Sequence, residues 1–349
     1  MDEAKVEQFM GGLIGHMTGA MACFGIWLGD ELGLYRALVD GGPQTAEALS
    51  AATGTNTRLV EEWGRGQAAA GLLQRDASGV YAITEEAALA LANEDAPVFL
   101  ARGMAVLGSL FCDFDKIAAA YRGNGAMSWG EHDQHLFGGT EWFFRPGYRN
   151  FLATEWIPAM AGVADTLTAG GSIADVGCGH GASAVVLAQA YPKARVHGFD
   201  FHEPSIQTAA KRAAEAGVAD RITVEVASAV GYPGSYDLIC FFDCLHDMGD
   251  PVGIARYARE HLNAGGSVLL VEPFALDGDA NITENPMAAL LYHASAAICT
   301  PNSLSQEVGL GIGAQAGPGR LQSVFTDAGF SQFEVVASSP VNLVIQARV

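Results

Sequence analysis

From Ser172 onward short apolar runs alternate with helical stretches, and this alternation restricts the fold more than any other feature of the chain. SIADVG, RVHGFD, ITVEVA, YDLICFF and SVLLVEPF are separated by segments of helical spacing such as ASAVVLAQAY and PSIQTAAKRAAEAG. Strands this short, joined by helical crossovers, predict an α/β fold with a mostly parallel sheet covered on both faces. In such a sheet ligands bind beyond the carboxyl ends of the strands. One run breaks there abruptly: YDLICFF is followed at once by Asp243, His246 and Asp247, side chains that are costly to bury without partners,.

The chain has 349 residues, of which 50% are hydrophobic and 17% charged, enough to fill about two domains,. Nineteen Lys and Arg against 39 Asp and Glu give a net charge of −20, which repels nucleic acid,. Six cysteines are scattered without a CxxC pair, as expected of reduced thiols in the cytoplasm,. The start, MDEAKVEQ, is acidic where a secretory signal is basic,. Residues 9–29 carry no formal charge over 21 positions, about a bilayer span, but Gly11, Gly15 and Gly19 recur every fourth residue,. Small residues on one face let helices approach closely, so a subunit interface and a homodimer are expected rather than a membrane span.

Residues 1–95 read as helix, turn, helix and two-stranded wing. Thr45 and Thr57 are placed as N-caps, Gly54 and Gly71 as helix ends, and Ala77-Ser78-Gly79 as the wing turn,. A winged helix suggests DNA binding, yet these residues hold five Lys/Arg against fourteen Asp/Glu, so dimerisation is the expected use,. Residues 96–165 read as an aromatic-rich helical connector expected to line a ligand site, and residues 166–349 as a further domain, with a cap insertion at about 280–318. His132 and His135 have HxxH spacing but no helical frame or third ligand, so hydrogen-bonding roles are expected of them,.

The first strand ends in DVGCGHG, residues 175–181. Its glycines permit a tight turn and close approach of a ligand to main chain, and the next helix offers unpaired N–H groups. The spacing is GxGxG rather than the dinucleotide GxGxxG, and Asp200 closes the second strand 25 residues after Asp175,. On these motifs, over essentially all of residues 165–349, the chain resembles class I S-adenosylmethionine-dependent methyltransferases. The resemblance implies a Rossmann-like seven-stranded sheet, mostly parallel with the last strand antiparallel, and the final pair FEVVAS and VNLVIQARV fits that ending. It implies that Asp175, Gly177, Cys178 and Gly179 line the methionine end of the cofactor, that Asp200 holds the ribose and Phe201 packs near the adenine, with Ser228 replacing an acid at the adenine amino group and Asp243 a further contact. With the N-terminal region included, the chain is similar to two-domain small-molecule O-methyltransferases, whose N-terminal domain dimerises.

Methyl transfer from a sulfonium needs a positioned nucleophile and a base near the end of the fourth strand. In the O-methyltransferase relatives a His-Asp-Trp stretch supplies that base, which implies His246 here, with Met248 where the Trp would be. His293 lies in the apolar cap run NPMAALLYHASAAICTP. Two imidazoles with Asp247 beside them make a set suited to iron or zinc. This resembles the metal-assisted 2-oxo-acid C-methyltransferases, such as phenylpyruvate C-methyltransferase, in which two histidines hold a metal that chelates the substrate. The resemblance implies C-methylation beside the keto group, with His246 and His293 as ligands and Asp247 orienting a metal-bound water. Arg122 is placed to meet a carboxylate, and Tyr148 and Met104 to wall the site. The alternatives are a metal-free O-methyltransferase with His246 as base, and a non-catalytic cofactor-binding regulator.

Overall fold

The computed structural model describes residues 1–349. The chain folds as two compact units, residues 1–112 with 133–146, and residues 113–132 with 147–349. Residues 96–165, expected as a connector, are shared between the two.

The first unit opens with one long helix, Glu3–Glu31. It is long and apolar enough to cross a membrane by length and composition, and only 11% of its most apolar stretch is buried. Phe9, Ile14, Met17, Met21 and Phe24 are all exposed along it. Its C-terminal end is anchored by Asp30, a buried carboxylate paired with Arg36 at 3.0 Å and Arg102 at 2.9 Å. Helices Ala46–Thr53 and Thr57–Ala69 follow, then a hairpin of β1 (Gln74–Arg75) and β2 (Tyr81–Ala82). Thr45 caps the first helix as expected, accepting from the Ala48 N–H. The second cap is Asn56, which accepts from the Leu59 N–H, because Thr57 spends its hydroxyl on Ser50 at 2.7 Å. Leu34, Leu38, Leu49, Val60 and Tyr81 bury their apolar faces together as this unit's core. On the second helix Arg58 and Arg65 pair with Glu62 and Glu61 one turn away.

The second unit is built on a sheet of seven strands: β3 (Ser172–Val176), β4 (Arg195–Asp200), β5 (Ile222–Val226), β6 (Tyr236–Phe242), β7 (Leu262–Pro273), β8 (Gln332–Ser338) and β9 (Asn342–Arg348). Their order is β5-β4-β3-β6-β7-β9-β8, with β9 antiparallel to both neighbours and the rest parallel. The core strands are apolar because helices cover both their faces: Leu238, Ile239, Phe241, Leu269 and Leu270 are fully buried,. After β3 the chain runs outward through β4 and β5, then returns to lay β6 on β3's other side. That reversal opens a crevice at the carboxyl ends of β3 and β6, where DVGCGHG and FFDCLHDM emerge,. The cap expected after β7 comprises helices Ala280–Thr283 and Ala288–Ala294, a π-turn Ser295–Cys299 and helix Thr300–Leu304.

Candidate active site

Two groups of residues meet at the reversal of strand order. The first comes from β3 and β4. Asp175 is fully buried; its Oδ2 accepts from the Ser183 hydroxyl at 2.6 Å, while Oδ1 has no partner. Burial pushes its pKa up to about 7, although the Ser183 bond opposes the rise,. Gly177 holds a left-handed φ of 76°, and a Cβ there would lie 2.8 Å from Cys244 Sγ, so no other residue fits without a shift,. Gly179, with φ of 50°, has nothing within 4 Å of the Cβ it lacks, which leaves bare backbone open to a ligand. Asp200 accepts from the Gly179 and His202 N–H groups, both at 2.9 Å, fixing the loop against β4. Cys178 is buried in the loop, Phe201 is 61% exposed beyond β4, and Ser228 is exposed just after β5.

The second group comes from β6 and β7. Asp243 is a non-glycine residue at φ 50°, a conformation that needs support from its surroundings,. Tyr148 donates to its Oδ2 at 2.6 Å and Asn342 to its Oδ1 at 2.8 Å. Tyr148, expected as substrate wall, is therefore buried with its hydroxyl committed to Asp243. His246 is 3% exposed, and its Nδ1 hydrogen-bonds Glu272 Oε2 at the end of β7. Its Nε2 lies 3.2 Å from Asp247 Oδ1. Burial alone would push the imidazole's pKa down, but the Glu272 and Asp247 carboxylates overturn that and hold it well above the usual histidine value,. The backbone of this turn is clamped from the cap: Asn302 and Gln306 donate to the Asp247 carbonyl, and Ser303 to that of Met248.

The structure does not bring the two expected metal ligands together. His293 is exposed on helix Ala288–Ala294, and the cap residue that meets His246 is Cys299. Donor atoms of His246, Asp247 and Cys299 lie within 4.8 Å of one another. Yet burial pushes the Cys299 thiol up to about 12, and His246 spends one nitrogen on Glu272 and faces a carboxylate with the other. A cation there would have to displace protons from both thiol and imidazole, so the group does not fit the expected two-histidine iron or zinc centre. Arg122 is exposed at the end of helix Phe114–Arg122. Met104 belongs to the first unit, where it packs on that unit's core.

Glu272 and Cys299 escaped the sequence reading. Glu272 had a visible signal: in SVLLVEPF it is a lone acid ending an apolar strand, the same anomaly as FFDCLHDM.

Residues 167–329 match the family described as "Methyltransferase domain". Among curated proteins, the 27-O-demethylrifamycin SV methyltransferase of Amycolatopsis mediterranei is 30% identical over 161 residues, 44% of this chain and 57% of that protein. The chain thus spans little more than half the length of the curated relatives it matches. Two solved structures share the fold across both chains. The putative O-methyltransferase of Nostoc punctiforme PCC 73102 gives a TM-score of 0.71 at 20% identity, covering 98% of each chain. Human N-acetylserotonin methyltransferase, solved with S-adenosylmethionine, gives 0.72 at 20% identity, covering 98% of this chain and 97% of that one. The chain therefore has the class I S-adenosylmethionine-dependent methyltransferase fold, and its residues 167–329 are similar to the methyltransferase-domain family.

Proposed function

We propose that this chain methylates a hydroxyl oxygen of a small molecule, using S-adenosylmethionine as donor and His246 as general base. The observation that carries this reading is the buried His246, held between Glu272 and Asp247 at the carboxyl end of β6, the strand beside the glycine loop.

When bound, S-adenosylmethionine supplies an electrophilic methyl on a cationic sulfur, and the protein has to position and deprotonate the acceptor. Asp175 has a free carboxylate oxygen for the cofactor's ammonium group, Gly179 leaves its backbone open to close approach, and Asp200 is available to the ribose hydroxyls. Glu272 accepts a hydrogen bond from the Nδ1–H of His246 and so fixes the tautomer whose Nε2 lone pair can accept a hydroxyl proton,. Asp247, 3.2 Å from Nε2, stabilises the imidazolium that results. Oxygen is favoured over metal-assisted methylation of a 2-oxo acid because the histidine pair that reaction needs is not assembled around His246. The O-methylating names of relatives point the same way.

Labelled S-adenosylmethionine offered with a panel of phenols and 2-oxo acids tests the reading. Label is expected on a phenolic oxygen, unaffected by chelator and abolished in His246→Ala; label on carbon beside a keto group, lost with chelator, would overturn it.

We also infer that the exposed apolar side of helix Glu3–Glu31 is covered by a second copy of the chain. Phe9 at 73%, Met17 at 65% and Met21 at 67% exposure are large apolar groups left in water by the single chain,. Light scattering in detergent-free buffer is expected to give a dimer, and Met17→Glu with Met21→Glu a monomer. A monomeric parent protein would end the idea.

A further inference from the structure

The carbonyls of Asp247 and Met248, and both main-chain groups of Gly249, are satisfied by residues 302–310, at and beyond the end of helix Thr300–Leu304,. The Asp247 carbonyl accepts from Gln306 Nε2 at 2.9 Å and from Asn302 Nδ2 at 3.2 Å, and the Met248 carbonyl accepts from the Ser303 hydroxyl at 2.8 Å. The Gly249 N–H donates to Gln306 Oε1 at 3.0 Å, and the Gly249 carbonyl accepts from the Leu310 N–H at 2.9 Å. One side chain, Gln306, therefore grips the turn after His246 at two points, residues 247 and 249. Its Nε2 also donates to the Asn302 carbonyl at 3.0 Å, so the amide fits only one way round. Turned over, it would set its donors against the Gly249 N–H and its oxygen against two carbonyls.

The approach of the two segments is close and is held at a cost. Gly249 is buried, and a Cβ there would stand 2.6 Å from both Gln306 Cβ and the Glu307 carbonyl oxygen, so a larger residue would push the grip open. Val308 holds a left-handed φ of 71° between Gln306 and Leu310, a conformation that a β-branched residue keeps only where its surroundings enforce it,. Gln306 itself is exposed, so its hydrogen bonds add little to the core. What they hold is Asp247, whose carboxylate faces His246 Nε2 at 3.2 Å as an ion pair. Glu272 anchors the other partner of that pair from β7, through Nδ1 and through the His246 N–H. The imidazole is thus fixed from the sheet and the carboxylate's main chain from residues 302–306.

We propose that Gln306 is a positioning residue for the reaction: its two-point grip on residues 247 and 249 sets the distance between the Asp247 carboxylate and His246, and through that ion pair the turnover of the base. The role rests on the O-methylation reading for its chemistry, but its main test needs no methyl acceptor. Glu272 from β7, Asp243, Cys244 and Asp247 on the turn itself, and Cys299 from the cap all act electrostatically on His246 or feel its charge. Gln306→Met leaves every one of them in the chain and removes only the grip. With Asp247 free to move away, His246 loses part of the attraction that favours its protonated form, so the ring should titrate at lower pH,.

NMR of the imidazole resonances, in protein saturated with S-adenosylhomocysteine, follows the titration of His246 in the parent, Gln306→Met, Asp247→Asn and the double variant. The midpoint is expected to fall in each single variant, and Gln306→Met should add nothing once Asp247→Asn has removed the charge it positions. With a phenolic acceptor, the kcat plateau of Gln306→Met should drop about threefold to tenfold and the acid limb of its pH–rate profile should move the same way as the titration. Cofactor Kd should stay unchanged and the melting temperature within about 2 °C of the parent, which a general loss of structure would not allow. A His246 midpoint that Gln306→Met leaves in place, or shifts equally with and without the Asp247 carboxylate, overturns the proposal. The expected midpoints in a protein that methylates no hydroxyl would sustain this role and sink the O-methylation reading, whereas hydroxyl methylation with unmoved midpoints would do the reverse.

Discussion

The two sides of the crevice are made in different ways. On the cofactor side nearly everything comes from one stretch, residues 175–200, and the working parts are main chain: the open backbone at Gly179, the left-handed Gly177 and the N–H groups that fix Asp200. On the acceptor side the working parts are side chains gathered from far apart, with His246 after β6, Glu272 at the end of β7, and Cys299 and Asn302 from the cap. A ligand of constant shape can be gripped by backbone, which varies little with sequence. A base has to be tuned, and tuning needs charges that only side chains carry.

If that division is right, substitutions on the two sides should separate turnover from cofactor affinity. The largest effect is expected for His246→Ala, a loss of about 10²–10⁴ in kcat with cofactor Kd unchanged, measured by single-turnover assay beside calorimetry. Glu272→Gln comes next. The parent protein's His246 is protonated below its raised pKa and cannot act as base, so kcat should climb as pH rises toward that value,. Removing the Glu272 charge lowers that pKa, so the acid limb of the pH–rate profile should move to lower pH while the plateau falls. An unmoved limb would mean that another group limits the rate.

On the cofactor side, Asp200→Ala should weaken binding about 10- to 100-fold, the range for hydrogen bonds to a charged group, and leave kcat at saturation nearly intact. Asp175 offers a finer test. With its pKa at about 7, the carboxyl is largely protonated at pH 6 and cannot hold an ammonium ion,. Cofactor affinity should therefore rise with pH up to about 7, by as much as about tenfold per unit, and Asp175→Asn should flatten that dependence,. The smallest effect is expected for Asn342→Ala, which removes one of two donors from Asp243 and should cost roughly fivefold in turnover,.

The same division explains what the sequence made legible. Alternating strands and helices announced the sheet, and DVGCGHG with Asp200 marked the loop at its crevice, because these signals are local. FFDCLHDM marked the turn where His246, Asp247 and Glu272 meet for the same reason. Glu272 becomes a partner of His246 only because β7 lies beside β6 in the sheet, 26 residues along the chain. His293 looked like the cap's contribution because regular helical counting ran through it. The cap residue that meets His246 is instead Cys299, which ends the π-turn Ser295–Cys299 that follows this helix. Thr57 failed as a cap on a single competing hydrogen bond to Ser50.

The position of β9 has a consequence for how the protein is made. It lies between β7 and β8, so β8, although synthesised earlier, has no place in the sheet until β9 arrives. Asn342, the first residue of β9, also holds Asp243. A ribosome-bound chain that has finished β7 can pair β3, β4, β5, β6 and β7, yet it leaves β7 with an open edge and the reacting turn without one of its supports. The acceptor side of the crevice is thus among the last parts of the molecule to be completed during synthesis, long after the glycine loop can form.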